Sequence, residues 1–223
     1  MANFRTHLGV AAAGGSVLAH GGWQAGLWSA LDSLPLLALV TFGGILPDID
    51  ADRSRAIRLI FNLLAVPAVV AGVLVLQTRL ATGALLMTCG AIYVGVRYLA
   101  GALFSRFTVH RGLWHSLLAA ALCGLVATAL SHQLFGQSDY LAWAHGASLM
   151  LGFVVHLLLD ELYSVDLTGA RLKRSFGTAM KPFDWREPGN SLVMLMAAAS
   201  LLPWLPPFGT LRELLRQGAS LWR

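Results

Sequence analysis

The chain has 223 residues, 57% of them hydrophobic and only 12% charged, with a formal net charge of +5. A soluble domain carries about 25% charged residues, so this composition excludes a protein whose whole surface faces water and indicates an integral membrane protein. The basic residues sit in short segments between apolar runs, where orientation in a membrane accounts for them without a nucleic-acid partner. Cys89 and Cys123 lie in separate apolar runs with no CxxC spacing. They read as buried packing thiols rather than as a disulfide or a zinc knuckle.

Residues 3–20 (NFRTHLGVAAAGGSVLAH) have the outline of a secretory signal, with one arginine, an apolar stretch and Val17-Leu18-Ala19 as a cleavage site. Their Gly/Ala-rich content favours the other reading, a helix packed closely against other helices. A second apolar run, 34–47, ends at Pro47. Runs 57–76, 81–103, 113–133 and 141–162 each approach the roughly 20 apolar residues that a crossing needs. Residues 164–190 form a polar, basic loop, and the short run 191–205 closes on Pro203, Pro206 and Pro207, as a kinked or re-entrant segment would. The tail LRELLRQGASLWR alternates basic and apolar residues at helical spacing and suits a membrane surface. The expected architecture is an all-α polytopic membrane bundle of six or seven helices. Residues 1–206 form its transmembrane domain and 207–223 an amphipathic tail.

Counted through seven runs, one set of loops holds Arg5; Arg53, Arg55 and Arg58; Arg106 and Arg111; and Arg171, Lys173, Arg174, Lys181 and Arg186. The opposite loops hold only Arg79 before the tail. The positive-inside rule assigns the first set to the cytoplasm. Arg212, Arg216 and Arg223 in the tail then speak against a seventh full crossing, unless the earlier charges overrule them.

This topology sorts the polar residues. His7, His110, His115, His156, Asp48, Asp50 and Asp160 fall near the cytoplasmic helix ends, whereas His20, His132 and His145 fall towards the outer ends. His156 and Asp160 are four residues apart and share a helix face, a metal-ligand spacing inside an apolar segment. His145 lies on that face too, but about 16 Å away along the axis, too far to share an ion. It, His20 and His132 read as capping or interhelical hydrogen-bonding groups. Convergence of four histidines and three aspartates at one depth points to a metal site. Imidazole and carboxylate together suit zinc, manganese or iron. Seven candidates exceed the needs of one four-coordinate ion, leaving either two ions or one ion with orienting groups and a general base.

Each stretch also has a local reading. In LPDID, Pro47 stops the preceding helix, and an extended backbone would turn Asp48 and Asp50 to one side, while Asp52 and Ser54 suit helix capping. In HRGLWHS, Gly112 permits a turn, His115 and Ser116 would enter the next helix, and Arg111 is placed to hold an anion such as a phosphate. Glu161 points about 100° away from Asp160 and is the weaker ligand. Arg97, inside an apolar run, either snorkels or pairs with an acid.

Four stretches together, Thr6-His7, GILPDIDADRS from Gly44 to Ser54, HRGLWHS from His110 to Ser116 and HLLLD from His156 to Asp160, resemble the YdjM-like family. That family is described as LexA-binding, inner-membrane-associated, metal-dependent hydrolases. The resemblance covers most of the chain. It implies hydrolase activity in the bacterial inner membrane, with membrane lipid as surroundings. A more distant similarity to zinc-dependent phospholipase C and P1 nuclease implies phosphoester hydrolysis by a metal-activated water, with one or two divalent ions, zinc foremost. In many members HLLLD runs through a Thr and a Gly into another apolar helix. Here the basic loop 164–190 intervenes, suited to cover the site, grip acidic headgroups or bind a cytoplasmic protein.

The resulting expectation is a cytoplasm-facing metal-dependent hydrolase acting on a phosphoester, which would include lipids. His7, Asp48, Asp50, His110, His115, His156 and Asp160 are its candidate ligands. Asp50 is either a bridging carboxylate or the base, and Arg111 is the catalytic anion holder. Two rivals stand beside it, a metal-ion or solute transporter and a scaffold that recruits a partner through 164–190 around a structural metal. Reporter fusions are expected to place 48–56, 105–112 and 164–190 on one, cytoplasmic, side; any of the three found outside would break the common site.

Overall fold

The computed structural model of the chain describes residues 3–50, 55–102, 114–166, 171–172, 177, 180–185 and 187–220. Eight α-helices occur among them: α1 (Phe4–Gln24), α2 (Ala30–Gly43), α3 (Arg55–Leu76), α4 (Thr82–Val94), α5 (Leu117–Gln133), α6 (Asp139–Leu162), α7 (Pro188–Ser200) and α8 (Phe208–Ser220). Short 3-10 turns cover Leu46–Asp50 and Leu202–Trp204, and a π-helical turn, Gly95–Ala100, continues α4. The one sheet among the described residues is a two-residue antiparallel pair, Val165–Asp166 with Arg171–Leu172. The chain forms two compact units, one of residues 1–47 and 113–223, the other of residues 48–112.

In the first unit, α1 is capped by Asn3, whose side chain accepts from the Thr6 amide. A turn through Gly26 (φ 72°) separates it from α2, and the positive φ suits a residue without Cβ. The second helix starts four residues before the apolar run at 34, because Ser29 and Asp32 form a reciprocal capping box. It also ends at Gly43, before Pro47, which falls inside the following 3-10 turn. That turn corrects the extended reading of LPDID. Positions two apart on a 3-10 helix are about 240° apart around its axis, so the backbone lacks the alternation that the extended reading requires. Asp52 and Ser54 lie outside the described residues.

Among the described residues three helical segments are long and apolar enough to cross a membrane: Ile57–Leu76, Thr82–Ala100 and Asp139–Leu162. A fourth candidate is the pair Pro188–Trp204 and Phe208–Ser220, bent by 99°. The run 113–133 contributes less helix than its length suggests, since α5 has 17 residues. Ser116 stands at its N-cap, accepting from the Ala119 amide, and His115 precedes the helix instead of entering it. The first helix has 21 residues but, being Gly/Ala-rich, not the apolar density. In the second unit α3 and α4 pack on each other. The Arg97 guanidinium lies 5.0 Å from the centre of the Tyr98 ring, a cation–π contact.

Glycines let α2, α5 and α6 approach closely. A Cβ on Gly152 would fall against the Val40 carbonyl, and one on Gly146 would overlap Thr128 Oγ1. Small residues at such crossings are what an apolar bundle needs for tight packing. Around them lie fully buried Leu36, Val40, Phe153 and Leu157. Gly152→Ala is expected to cost about 1–3 kcal/mol of stability through overpacking and to lower the melting temperature in detergent. Gly14→Ala, where a Cβ would meet nothing within 4 Å, should leave it unchanged or raise it slightly.

Candidate metal centre

One end of the first unit gathers four polar side chains from three segments. His7 comes from the first turns of α1, His115 from the residue before the α5 cap, and His156 and Asp160 from the last turns of α6. None is more than 2% exposed. Their placement follows from local chemistry. Capping by Asn3 fixes the start of α1, Ser116 that of α5, and the four-residue spacing in α6 stacks His156 over Asp160.

The Asp160 carboxylate is the shared centre. His7 Nε2 lies 3.3 Å from its Oδ1, and from its Oδ2 His156 Nε2 lies 3.9 Å and His115 Nε2 4.0 Å. The His7 and His156 rings stack with centroids 3.7 Å apart and 14° between planes. The His115 ring meets His156 edge-on at 5.8 Å. His156 Nδ1–H donates to the Gly44 carbonyl at 2.8 Å, which leaves Nε2 as the lone-pair nitrogen of the neutral ring, on the Asp160 side. This is the arrangement by which metal-binding histidines are held in one tautomer. His7 Nδ1 is buried without a hydrogen-bond partner among the described residues.

His7, His156 and Asp160 each offer a ligand atom within 4.8 Å of the others. Tetrahedral zinc with bonds of about 2.0–2.1 Å needs ligand atoms about 3.4 Å apart, so modest side-chain rotation would close the set around an ion. The donor chemistry, two imidazoles and a carboxylate, fits a divalent transition metal, and these residues can hold one.

Asp48 is half-buried and belongs to the second unit. Asp50 is on the same 3-10 turn, with its side chain outside the described set; His110 and Arg111 also lie outside the described residues. Glu161 accepts from the Gly177 amide, which ties it to the 164–190 loop. His145 Nδ1 pairs with Ser131 Oγ at 2.7 Å, His132 Nδ1 lies 3.5 Å from Asp139 Oδ1, and His20 packs edge-on against Trp23.

Two contributors escaped the sequence reading because they are backbone atoms. The Gly44 carbonyl holds His156, and the Lys181 carbonyl accepts from the Leu117 amide at 3.0 Å, tying the basic loop to the turn that carries His115. The glycine pair Gly43-Gly44 was the available signal for the first.

An all-helical membrane protein with a buried histidine–aspartate cluster able to hold a metal ion is the class defined by this fold and site. The chain belongs to the YdjM inner membrane protein family, which it matches over residues 1–205. No curated protein and no solved structure matches it. Asp160→Asn is expected to weaken zinc binding at least about tenfold in competition with a chromophoric chelator, whereas Glu161→Gln should leave it unchanged.

Proposed function

We propose that the protein is a divalent-metal-dependent hydrolase of the bacterial inner membrane that opens to the cytoplasm and cleaves a phosphoester, lipid headgroups being the nearest class. The observation that carries this reading is the burial of His7, His115 and His156 around the buried Asp160 carboxylate in an otherwise apolar bundle. Such groups are costly to bury, and their convergence marks a functional site more readily than a packing solution. The asymmetry of the basic loops supports the cytoplasmic side.

In this reading His7, His156 and Asp160 hold the ion and His115 orients Asp160 or joins it as a ligand. A bound divalent ion, zinc foremost and manganese or iron as alternatives, would lower the pKa of a coordinated water towards neutrality. Asp48, Asp50 and His110 are the remaining ligand candidates. Asp50 serves as base or bridging carboxylate, and Arg111 steadies the phosphate by bidentate pairing. In this reading the basic loop 164–190, whose Lys181 carbonyl and Gly177 amide are bonded to Leu117 and Glu161, meets acidic headgroups or a cytoplasmic partner.

A second reading has its own support. All four side chains are almost wholly enclosed, as in a closed structural site that keeps no open position for substrate. The protein would then be a scaffold around a structural metal. His156→Ala is expected to lose most bound metal, read by elemental analysis of purified protein, while His145→Ala, on the same helix face, keeps it. Turnover of a phosphoester panel should follow the metal. Metal loss in His156→Ala from a wild type that turns over no phosphoester would favour the scaffold, and full metal in both variants would remove the hydrolase reading.

A further inference from the structure

The first unit records how its last helices run. Near the His/Asp cluster, the Leu117 amide at the start of α5 donates to the Lys181 carbonyl. From there Asp184 and Ser191 are bonded to each other across the start of α7, the Asp184 amide donating to Ser191 Oγ at 3.1 Å. At the far end of α5, Gln133 Nε2 donates to the Trp204 carbonyl at 3.0 Å. So the segment from Lys181 through α7 to Trp204 accompanies α5 and finishes at the opposite end of the bundle.

The same end holds α8. Tyr140 donates to Gln217 Oε1 at 3.0 Å, Trp143 Nε1 to the Pro207 carbonyl at 3.2 Å, and Leu214 is buried with Leu36, Trp143 and Ala144. From Trp143 to Asp160 the rise along α6 is about 26 Å, close to the roughly 30 Å of a hydrocarbon core. Aromatic residues mark both ends. Trp185, 81% exposed, packs on Phe183 beside the loop near the cluster, while Trp204 and Phe208 are exposed at the other end. Such pairs suit the two interfaces of a bilayer.

The surface of α8 falls into three sectors. Leu214 faces the protein. Leu215, 61% exposed, and Phe208 stand about 100–120° from it, and Arg212 and Arg216 about 160–200°. Glu213 and Arg216 form an exposed ion pair at 2.9 Å. One apolar flank is thus left uncovered between the protein and the charged side, at the end where the membrane surface would lie.

We propose that α7 crosses the bilayer completely and that α8 is an interfacial helix on the leaflet opposite the His/Asp cluster, its Phe208 and Leu215 flank sunk into phospholipid and its arginines at headgroup level. The tail charges then stand against the positive-inside bias, overruled by the larger set of basic residues in the earlier loops.

The test uses full-length protein with Cys89 and Cys123 replaced by Ser and single cysteines introduced in turn by Arg212→Cys, Leu215→Cys and Tyr163→Cys, the last just beyond α6. A membrane-impermeant maleimide, applied to spheroplasts and to inverted vesicles, is expected to label Arg212→Cys and Tyr163→Cys from opposite sides. Nitroxide at Leu215→Cys in phospholipid nanodiscs should be more accessible to oxygen, and less to a water-soluble nickel chelate, than nitroxide at Arg212→Cys. Labelling of Arg212→Cys and Tyr163→Cys from the same side would overturn the crossing. Equal access of water-soluble nickel to the two tail positions would overturn the interfacial seating.

Discussion

Everything at one end of the first unit depends on the Asp160 carboxylate being surrounded by imidazoles. A lone carboxylate in an apolar bundle would be expensive to keep charged. His7 Nε2 is set against it at 3.3 Å, with two further imidazole nitrogens near 4 Å. Because they come from α1, from the turn before α5 and from α6 itself, the electrostatic need of one side chain constrains three segments at once. The cap residues Asn3 and Ser116, which set where two of those helices begin, therefore bear on the cluster as well as on their own helices.

The all-helical class was legible because composition and run length decide it, and the four-residue step from His156 to Asp160 was legible because helical geometry alone stacks them. His7 and His115 joined the same group through an argument that counted only lysine and arginine. What could not be read locally was the backbone path between motifs. The extended reading of LPDID failed since a proline-containing link of five residues took a 3-10 turn. His115 stays outside the helix because the Ser116 hydroxyl, accepting from the Ala119 amide, is the stronger start signal and sets the first helical residue at Leu117.

Length was the other weak point. The length of an apolar run overstates the helix it forms, because helices lose residues to caps and turns at each end. Residues 113–133 gave 17 helical residues, while the stretch starting at Ser29 gained some from its capping box. The composition of 191–205 suits crossing and re-entry alike, and it is long-range bonds, Lys181 to Leu117 and Gln133 to Trp204, that tie its two flanks to the two ends of α5. Such pairings leave no mark on periodicity.

The partner of His156 Nδ1 is a main-chain oxygen. A carboxylate or amide in that place could be exchanged by a single substitution, and the ring's tautomer and basicity would drift with it. The Gly44 carbonyl has no such freedom, since every residue brings the same oxygen. A residue with a Cβ at position 44 would meet the Ala11 Cβ at 2.2 Å, so sequence change there acts on His156 through the path of the chain and not through the partner atom. That path is held where α2 lies against Gly152, so the setting of the ring is inherited from how closely two helices touch.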